Sequence, residues 1–455
     1  MKSPLVGCIK LGALNCQGLK DKIDFPEVQE LLSSCDIFGV TETWLKDSDD
    51  CHLDGFKYYP FNRKKENGEK GATRGGIGLF VRNEWKEHIK IRYDLSCENF
   101  LWCKLSKTYF GYHDDIFIGI IYFPPEATNR EKKGNLDHFL HLRETTQKIN
   151  SENIILMGDF NARTKDLDDV LIGEKDEEEL DQINFFSKIV TRRNNQDQST
   201  NRYGRLLAEY CIATRSYIAN GRTIGDLQGK LTCHQWNGAS TVDYAIVSES
   251  LNDYVQNFQV LDPDTGSDHS ALKLNITLRN KLKNKQNDKT KLAPKIPWND
   301  EEKMKFLIKV NSHESVTKIE ELSKAISAGK SNTDDVLTEV VKLITPISRK
   351  KSNNNNRKKA PKKWYDHSCQ EMSRRLKDVT KLYSQSPTNP YLRNSYCKTR
   401  KEYKKLLKLR RKEWQNEMIS KLETLEKEHP KEYWKLVNEL REKNRERLLL
   451  VHQIL

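Results

Sequence analysis

The sequence predicts an α/β fold, layered sheets flanked by helices, followed by a basic helical extension. Three observations carry that reading. Short β-rich apolar runs alternate with helical patterns through residues 5–280. Several of those runs are apolar on both faces, so they need cover on both sides. Beyond residue 280 the chain turns Lys/Asn-rich and then helical.

The strand-like runs, in order, are Leu5–Leu14, Ile37–Thr41, Gly76–Arg82, Ile116–Phe123, Ile154–Gly158, Val242–Val247 and Ala271–Ile276. They are rich in β-branched and aromatic residues and bounded by turn formers. Between them, Phe25–Leu32 places Phe25, Val28, Leu31 and Leu32 on one helical face. Leu136–Ile149 and Tyr203–Ile212 show the same spacing. The acidic stretch Glu174–Asp181 reads as a solvated loop or helix end. Lys281–Pro297 reads as a linker, residues 300–346 as a weaker helical patch, and Ser348–Lys363 as a basic low-complexity run. Ser368–Glu428 is a basic helical array interrupted by Pro387 and Pro390, with Leu407, Trp414, Met418, Leu422 and Leu425 on one face. A helix of that length needs a partner face or a polyanion to be stable. Three regions follow: 1–280, a linker at 281–363, and a helical segment at 364–455 that ends as if cut before its next element.

Charge divides the chain in the same place. Residues 281–455 hold 43 Lys+Arg against 23 Asp+Glu, a net of +20, whereas residues 1–280 hold 35 against 42, a net of −7. The basic half predicts affinity for a polyanion, with nucleic acid the leading candidate. No run approaches 18 apolar residues, so no membrane span is expected. The first 15 residues read as a strand, not a secretory signal. None of the ten cysteines forms a Cys-x-x-Cys pair. They read as free buried thiols of a reducing compartment, and Cys233-His234 lacks the second ligand pair a zinc site requires.

Chemistry-bearing residues stand where apolar runs end. Asp159 and Asn161 close the run Ile154–Met157 and, two apart in extended chain, face the same side. A carboxylate there can take a proton from water or hold a metal, and an amide can donate to a charged oxygen. Alone, Gly158-Asp159-Phe160-Asn161 is equally a turn signal. Asp268-His269 precedes another strand and offers a carboxylate and an imidazole. Asp243 begins a further strand and can hold His269 in one tautomer. Glu42 and Asn15 follow two more runs, and a hard cation such as Mg²⁺ takes oxygen ligands of this kind. Tyr122 ends another run with a hydroxyl able to reach a phosphate. Each position is weak alone; six such run ends suggest one shared cleft.

The spelling and order of eight segments resemble the endonuclease/exonuclease/phosphatase superfamily, most closely the apurinic-type endonuclease domain of non-LTR (LINE-type) retrotransposons. The segments are LNCQGL (14–19), TETWL (41–45), GGIGLFVRN (75–83), IYFPP (121–125), MGDFNA (157–162), NRYGRLLAEYC (201–211), GASTVDYAIVS (238–248) and SDHSAL (267–272). The resemblance implies a four-layer α/β sandwich, two packed sheets with helices outside. It implies that Glu42 binds Mg²⁺ (or Mn²⁺) with Asn15 beside it and Asp268 on the metal side. Tyr122 would contact the scissile phosphate, Asp159 orient or deprotonate the attacking water, and Asn161 stabilise developing charge. His269, oriented by Asp243, would contact the phosphate, and Thr241 would be a phosphate contact or support one. Substrate contacts in an acidic domain must come from local cations: Arg63-Lys64-Lys65, Arg74 or Arg192-Arg193. The implied activity is a Mg²⁺-dependent nick in one DNA strand that leaves a 3′-hydroxyl for target-primed reverse transcription.

The segment after residue 364 is similar to the one that links endonuclease to reverse transcriptase in such elements, and no polymerase motif precedes Leu455. The element's RNA is therefore the expected partner of the basic segment. Arg349-Lys350-Lys351 and Arg357-Lys358-Lys359 suit nuclear import after cytoplasmic passage. Two other readings use the same residues: a same-fold phosphodiesterase acting on RNA, a lipid or an inositol phosphate, and an inactive nucleic-acid-binding relic. Tyr365-Asp366-His367 has the residue types of a second site, but nothing else in the sequence converges on it.

Overall fold

The computed structural model describes residues 7–20, 22–49, 51–64, 74–126, 137–170, 192–263, 266–278, 312–327 and 364–443. The expected acidic loop at 174–181, the linker at 281–297 and the basic run at 348–363 lie outside those residues. In chain order the described strands are β1 (Cys8–Asn15), β2 (Ile37–Thr41), β3 (Phe56–Phe61), β4 (Ile77–Arg82), β5 (Ile89–Ile91), β6 (Phe100–Leu105), β7 (Ile116–Tyr122), β8 (Ile154–Asp159), β9 (Ser216–Ile218), β10 (Cys233–Gln235), β11 (Gly238–Ser240), β12 (Asp243–Ser248), β13 (Val255–Val260) and β14 (Leu272–Thr277). The helices are α1 (Pro26–Ser33), α2 (Lys107–Phe110), α3 (His138–Lys148), α4 (Arg202–Ala213), α5 (His313–Ser327), α6 (His367–Gln385), α7 (Pro390–Glu428) and α8 (Pro430–Lys443).

Two six-stranded mixed sheets form the centre, in the orders β13-β14-β1-β2-β4-β3 and β5-β6-β7-β8-β12-β9. They pack face to face through Ile9, Leu11, Leu79 and Val81 on one side and Ile118, Ile120, Ile155 and Met157 on the other. The outer face of the second sheet is closed by α3 and α4, whose Phe139, Leu142, Leu207 and Tyr210 pack with Trp102 and Phe123. This is the α/β sandwich expected from strands apolar on both faces. β1 shows why: Leu11 and Ala13 face the space between the sheets, and Leu14 faces outward into a second core.

That second core departs from the expected division of the chain. One compact unit spans residues 1–282 and 362–455, and the other spans 283–361. The segment after residue 363 packs onto the sandwich. Phe38, Val40, Phe80, Leu31 and Leu32 of the first sheet and α1 bury against Trp364, Cys369, Leu376, Tyr383, Tyr396, Tyr403 and Leu407. α1 has only eight residues, too little to cover six strands, so α6 and α7 supply the rest of the outer layer. Their apolar positions recur at helical spacing, as 369, 376 and 383 in α6. Asp366 caps α6 through the Cys369 amide at 3.0 Å, and Asn389 caps α7 with Pro390 in its first turn.

A polar cluster fixes this layer. Oε1 of Glu27, in α1, accepts from the hydroxyls of Tyr365 (2.8 Å), Ser373 (2.8 Å) and Tyr403 (2.6 Å). Tyr365 and Asp366 are thus structural: one bonds α1, and the other caps α6 and pairs with Arg410 at 3.1 Å.

Candidate active site

The run ends meet because β1 pairs in parallel with β2, and β7 with β8. Asn15 and Glu42 therefore leave the first sheet at one edge, as Tyr122 and Asp159 leave the second. β12 is antiparallel to β8, with Asp243 directly opposite Asp159. Asn15 Nδ2 joins the two sheets, donating to Glu42 Oε1 at 2.8 Å and Asp159 Oδ2 at 2.9 Å. Asp243 accepts from His269 Nδ1 at 2.9 and 3.1 Å. Asn15, Asp159, Asp243 and His269 are all buried, and Glu42 is half-buried.

Local backbone serves this convergence. Gly158 has φ +139°, and a Cβ there would stand 2.2 Å from the Ile121 carbonyl oxygen. Only glycine lets β8 pass β7 closely enough to set Asp159 beside Tyr122. Gln17, Glu42, Trp44 and Asn161 all adopt positive φ, 45° to 53°. Left-handed backbone costs a non-glycine residue about 1–2 kcal/mol, and here it gathers around one site.

The electrostatics follow from burial. Burial first, and then the neighbouring Asp243 carboxylate, push the Asp159 pKa above the ordinary carboxylate range, against the opposing pull of His269 and Asn15. Burial disfavours an imidazolium at His269, but Asp243 outweighs it and holds the ring's pKa well above its ordinary value. Burial, Glu42 and Asp159 together raise the Tyr122 pKa, so its hydroxyl stays a proton donor. Both N–H bonds of the Asn161 amide are engaged, with the Phe123 carbonyl at 2.7 Å and Asp159 Oδ2 at 3.3 Å. In this arrangement Asn161 orients Asp159.

Two donor sets bear on a metal ion. Among the described residues, one atom each of Asp159, Asp243 and His269 lie within 4.8 Å of one another. Asp243 and His269 already bond each other within that group, which suits it to proton handling. Outside that group, Glu42 offers a half-buried carboxylate, and Asp268 has a buried Oδ1 with no hydrogen-bond partner. An orphaned carboxylate oxygen suits a hard divalent cation. The residues fit such an ion.

The other expected contacts divide. Arg74 and Arg192 are exposed, and the Arg74 guanidinium lies 5.9 Å from the Trp44 ring centroid. Arg63 and Arg193 are not surface cations: Arg63 donates to the Arg74 carbonyl at 3.3 Å, and Arg193 to Thr164 Oγ1 at 3.0 Å. Lys65 lies outside the described residues. Thr241 is buried, its amide on Asp197 at 3.0 Å and its hydroxyl on the Lys230 carbonyl at 3.3 Å. The two ring nitrogens of His234 meet the Tyr383 and Ser270 hydroxyls.

Sequence reasoning assigned no role to several supports. Ser267 Oγ donates to the Asn15 carbonyl at 2.6 Å and accepts from the His269 amide at 3.1 Å. Thr232 Oγ1 accepts from the Asp243 amide at 3.0 Å, and Trp44 Nε1 donates to Glu42 Oε2 at 3.2 Å. Ser267 and Trp44 adjoin motif residues and were open to inference; Thr232 and Asp197 carry no local signal.

Residues 12–269, more than half of the chain, match the Endonuclease/Exonuclease/phosphatase family. No curated protein matches the chain. Among solved structures, the endonuclease domain of TRAS1, a telomere-specific non-LTR retrotransposon, aligns at 14% identity and TM-score 0.40, covering 60% of this chain and 100% of its own. The AP endonuclease LMAP of Leishmania major aligns at 14% identity and TM-score 0.44, covering 61% of this chain and 89% of its own. The 3′ phosphatase NExo from Neisseria aligns at 14% identity and TM-score 0.40, covering 58% and 98%. With the family matched from Gly12 to His269, across every strand end that builds this cleft, the chain belongs to the endonuclease/exonuclease/phosphatase family.

Proposed function

We infer that the chain is a divalent-metal-dependent endonuclease that nicks one DNA strand by hydrolysing a phosphodiester. The observation that carries this is the Asn15 amide bridging Glu42 and Asp159, with Asp159 in register beside the Asp243–His269 pair. Phosphodiester hydrolysis asks for a poised water, neutralised charge and little covalent work from the protein.

Asp159, held at both oxygens by Asn15 and Asn161, orients the attacking water and takes its proton. Its raised pKa makes it a stronger base than an ordinary carboxylate once ionised. His269, kept protonated by Asp243, donates to a phosphate oxygen as negative charge builds. Tyr122, across from Asp159 and hydrogen-bonded to Glu42, offers a neutral donor. Glu42, Asn15 and Asp268 are the residues that would hold Mg²⁺ or Mn²⁺. An ion held there would supply charge neutralisation.

DNA is the substrate favoured by the +20 charge of residues 281–455 and by the retrotransposon-like motif spelling. On this reading the 3′-hydroxyl at the nick primes reverse transcription in the nucleus, and the basic helices take the element's RNA. The test is supercoiled plasmid incubated with purified protein and Mg²⁺. Nicking that EDTA abolishes, and that Asp159→Ala and His269→Ala each reduce by ~10²-fold or more, is expected. Equal nicking by those variants, or preferential cleavage of RNA or small phosphodiesters, would overturn the reading.

A further inference from the structure

We propose that Arg400 of α7 is a positioning residue for the active site: it holds the Ser267–Asp268–His269 turn in place from the C-terminal helical layer. The proposal rests on the endonuclease reading above, because it is that site's imidazole the turn presents.

The turn is gripped from two helices. Nη1 of Arg400 donates to the Ser267 carbonyl at 2.9 Å and lies 3.5 Å from the His234 carbonyl. Arg400 is only 9% exposed, and its guanidinium sits 5.1 Å from the Tyr396 ring centroid. Tyr396 donates its hydroxyl to the Pro263 carbonyl, at the start of the same loop. From α6, Ser384 donates to Asp262 Oδ1 at 3.0 Å, and the Tyr383 hydroxyl meets His234 Nδ1 at 2.8 Å. His234 in turn gives its amide to the Asp268 carbonyl at 2.7 Å. One turn beyond Arg400, the Lys404 side chain packs against Gly266, with Cε 3.6 Å from where a Cβ would stand.

What the turn presents makes this grip matter. Ser267, Asp268 and His269 are consecutive, and Ser267 also bonds Asn15, which orients Asp159. A carbonyl drawn 1 Å toward or away from α7 would move His269 against Asp243 and Asn15 against Asp159 together. A buried cation reaching a single turn is an expensive way to fill space, since burying an arginine without partners costs stability. Its shortest hydrogen bond, 2.9 Å to the Ser267 carbonyl, ends on the backbone that carries the imidazole. Arg400 touches no reacting atom itself, so it acts through His269.

The full-length chain tests this with four variants. Arg400→Gln removes the guanidinium, Arg400→Lys keeps the charge, and Tyr396→Phe removes only the hydroxyl. Arg374→Gln, an exposed arginine of α6, alters net charge equally. Plasmid nicking gives kcat and KM, and hydrogen–deuterium exchange follows the amides of residues 266–270. Arg400→Gln is expected to lower kcat by ~10–100-fold with KM changed less than about threefold, and to speed exchange in that turn. Arg400→Lys and Tyr396→Phe should fall between it and wild type, and Arg374→Gln should match wild type. A purely structural role would lower the unfolding midpoint and slow nothing in the protein that remains folded. Wild-type kcat in Arg400→Gln, or unchanged exchange in the turn, overturns the proposal. A wild-type chain that cleaves no nucleic acid sinks the endonuclease reading instead, and the exchange rates alone then decide the anchoring.

Discussion

On the endonuclease reading Asp159 works ionised and His269 protonated, and their surroundings push both pKa values upward. Asp159 acts ionised, so activity falls as pH drops through its pKa. That value is raised, which places the acid limb of kcat/KM above the ~4 of a free carboxylate. His269 acts protonated, so activity falls as pH rises through its pKa, above the ~6.5 of a free imidazole. A bell with both limbs displaced upward is expected for the wild-type chain. Asp243→Asn separates the two groups. It removes the carboxylate that stabilises the imidazolium, so the His269 pKa falls and the alkaline limb moves to lower pH. kcat should also drop ~10–100-fold as the ring loses its orienting partner. Steady-state nicking measured across pH checks both, and an alkaline limb that stays put in Asp243→Asn would remove His269 as the acid.

At the scale of elements, β8 depends on a glycine placed between two strands. A methyl group at residue 158 would meet the Ile121 carbonyl at 2.2 Å, and residue 158 also holds φ +139°. Gly158→Ala is therefore expected to destabilise the chain by more than ~3 kcal/mol, read as a lower denaturant midpoint. A midpoint within error of wild type would mean the β7–β8 pair can spread without cost. The same pair shows what the sequence makes legible. Ile116–Phe123 and Ile154–Gly158 are apolar on both faces, and both are strands to within a residue. β3 and β13 escaped because both are sheet edges. β3 carries Pro60, which an edge tolerates and a central strand does not. β13 reads Val-Gln-Asn-Phe-Gln-Val, polar at half its positions, because one side meets water. The site was legible for a related reason: Asn15, Glu42, Tyr122 and Asp159 each follow an apolar run, and a polar group there is conspicuous. The cations were not. Arg63 and Arg193 look like Arg74 and Arg192 in the sequence, and only the fold turns the first two inward.

For the whole molecule, a basic composition beyond residue 280 does not keep α6 and α7 apart from the sheets. Lys and Arg fill the exposed faces of α6 and α7, and that composition resembles a detached binding segment. Their inner faces are apolar and tyrosine-rich, and they cover a sheet surface that α1 alone leaves bare. Phe38, Val40 and Phe80 lie in the same buried cluster as Leu376, Tyr383, Tyr396 and Leu407. Removing the helices would expose that face and strand the Glu27 carboxylate, whose Oε1 loses all three of its hydroxyl donors. Each buried large side chain stripped of its cover costs on the order of 1.5–3 kcal/mol, and several are stripped at once. A chain ending at residue 282 is thus expected to unfold at lower denaturant than the full chain and to bind a hydrophobic dye in buffer. Its apolar patch would also favour self-association, visible as a mass above that of the monomer. If the shortened chain keeps the full-length midpoint and binds no dye, the second core contributes nothing to the fold. The helices would then be passengers on the sandwich, and the turn that carries His269 would have to be held by the sheets alone.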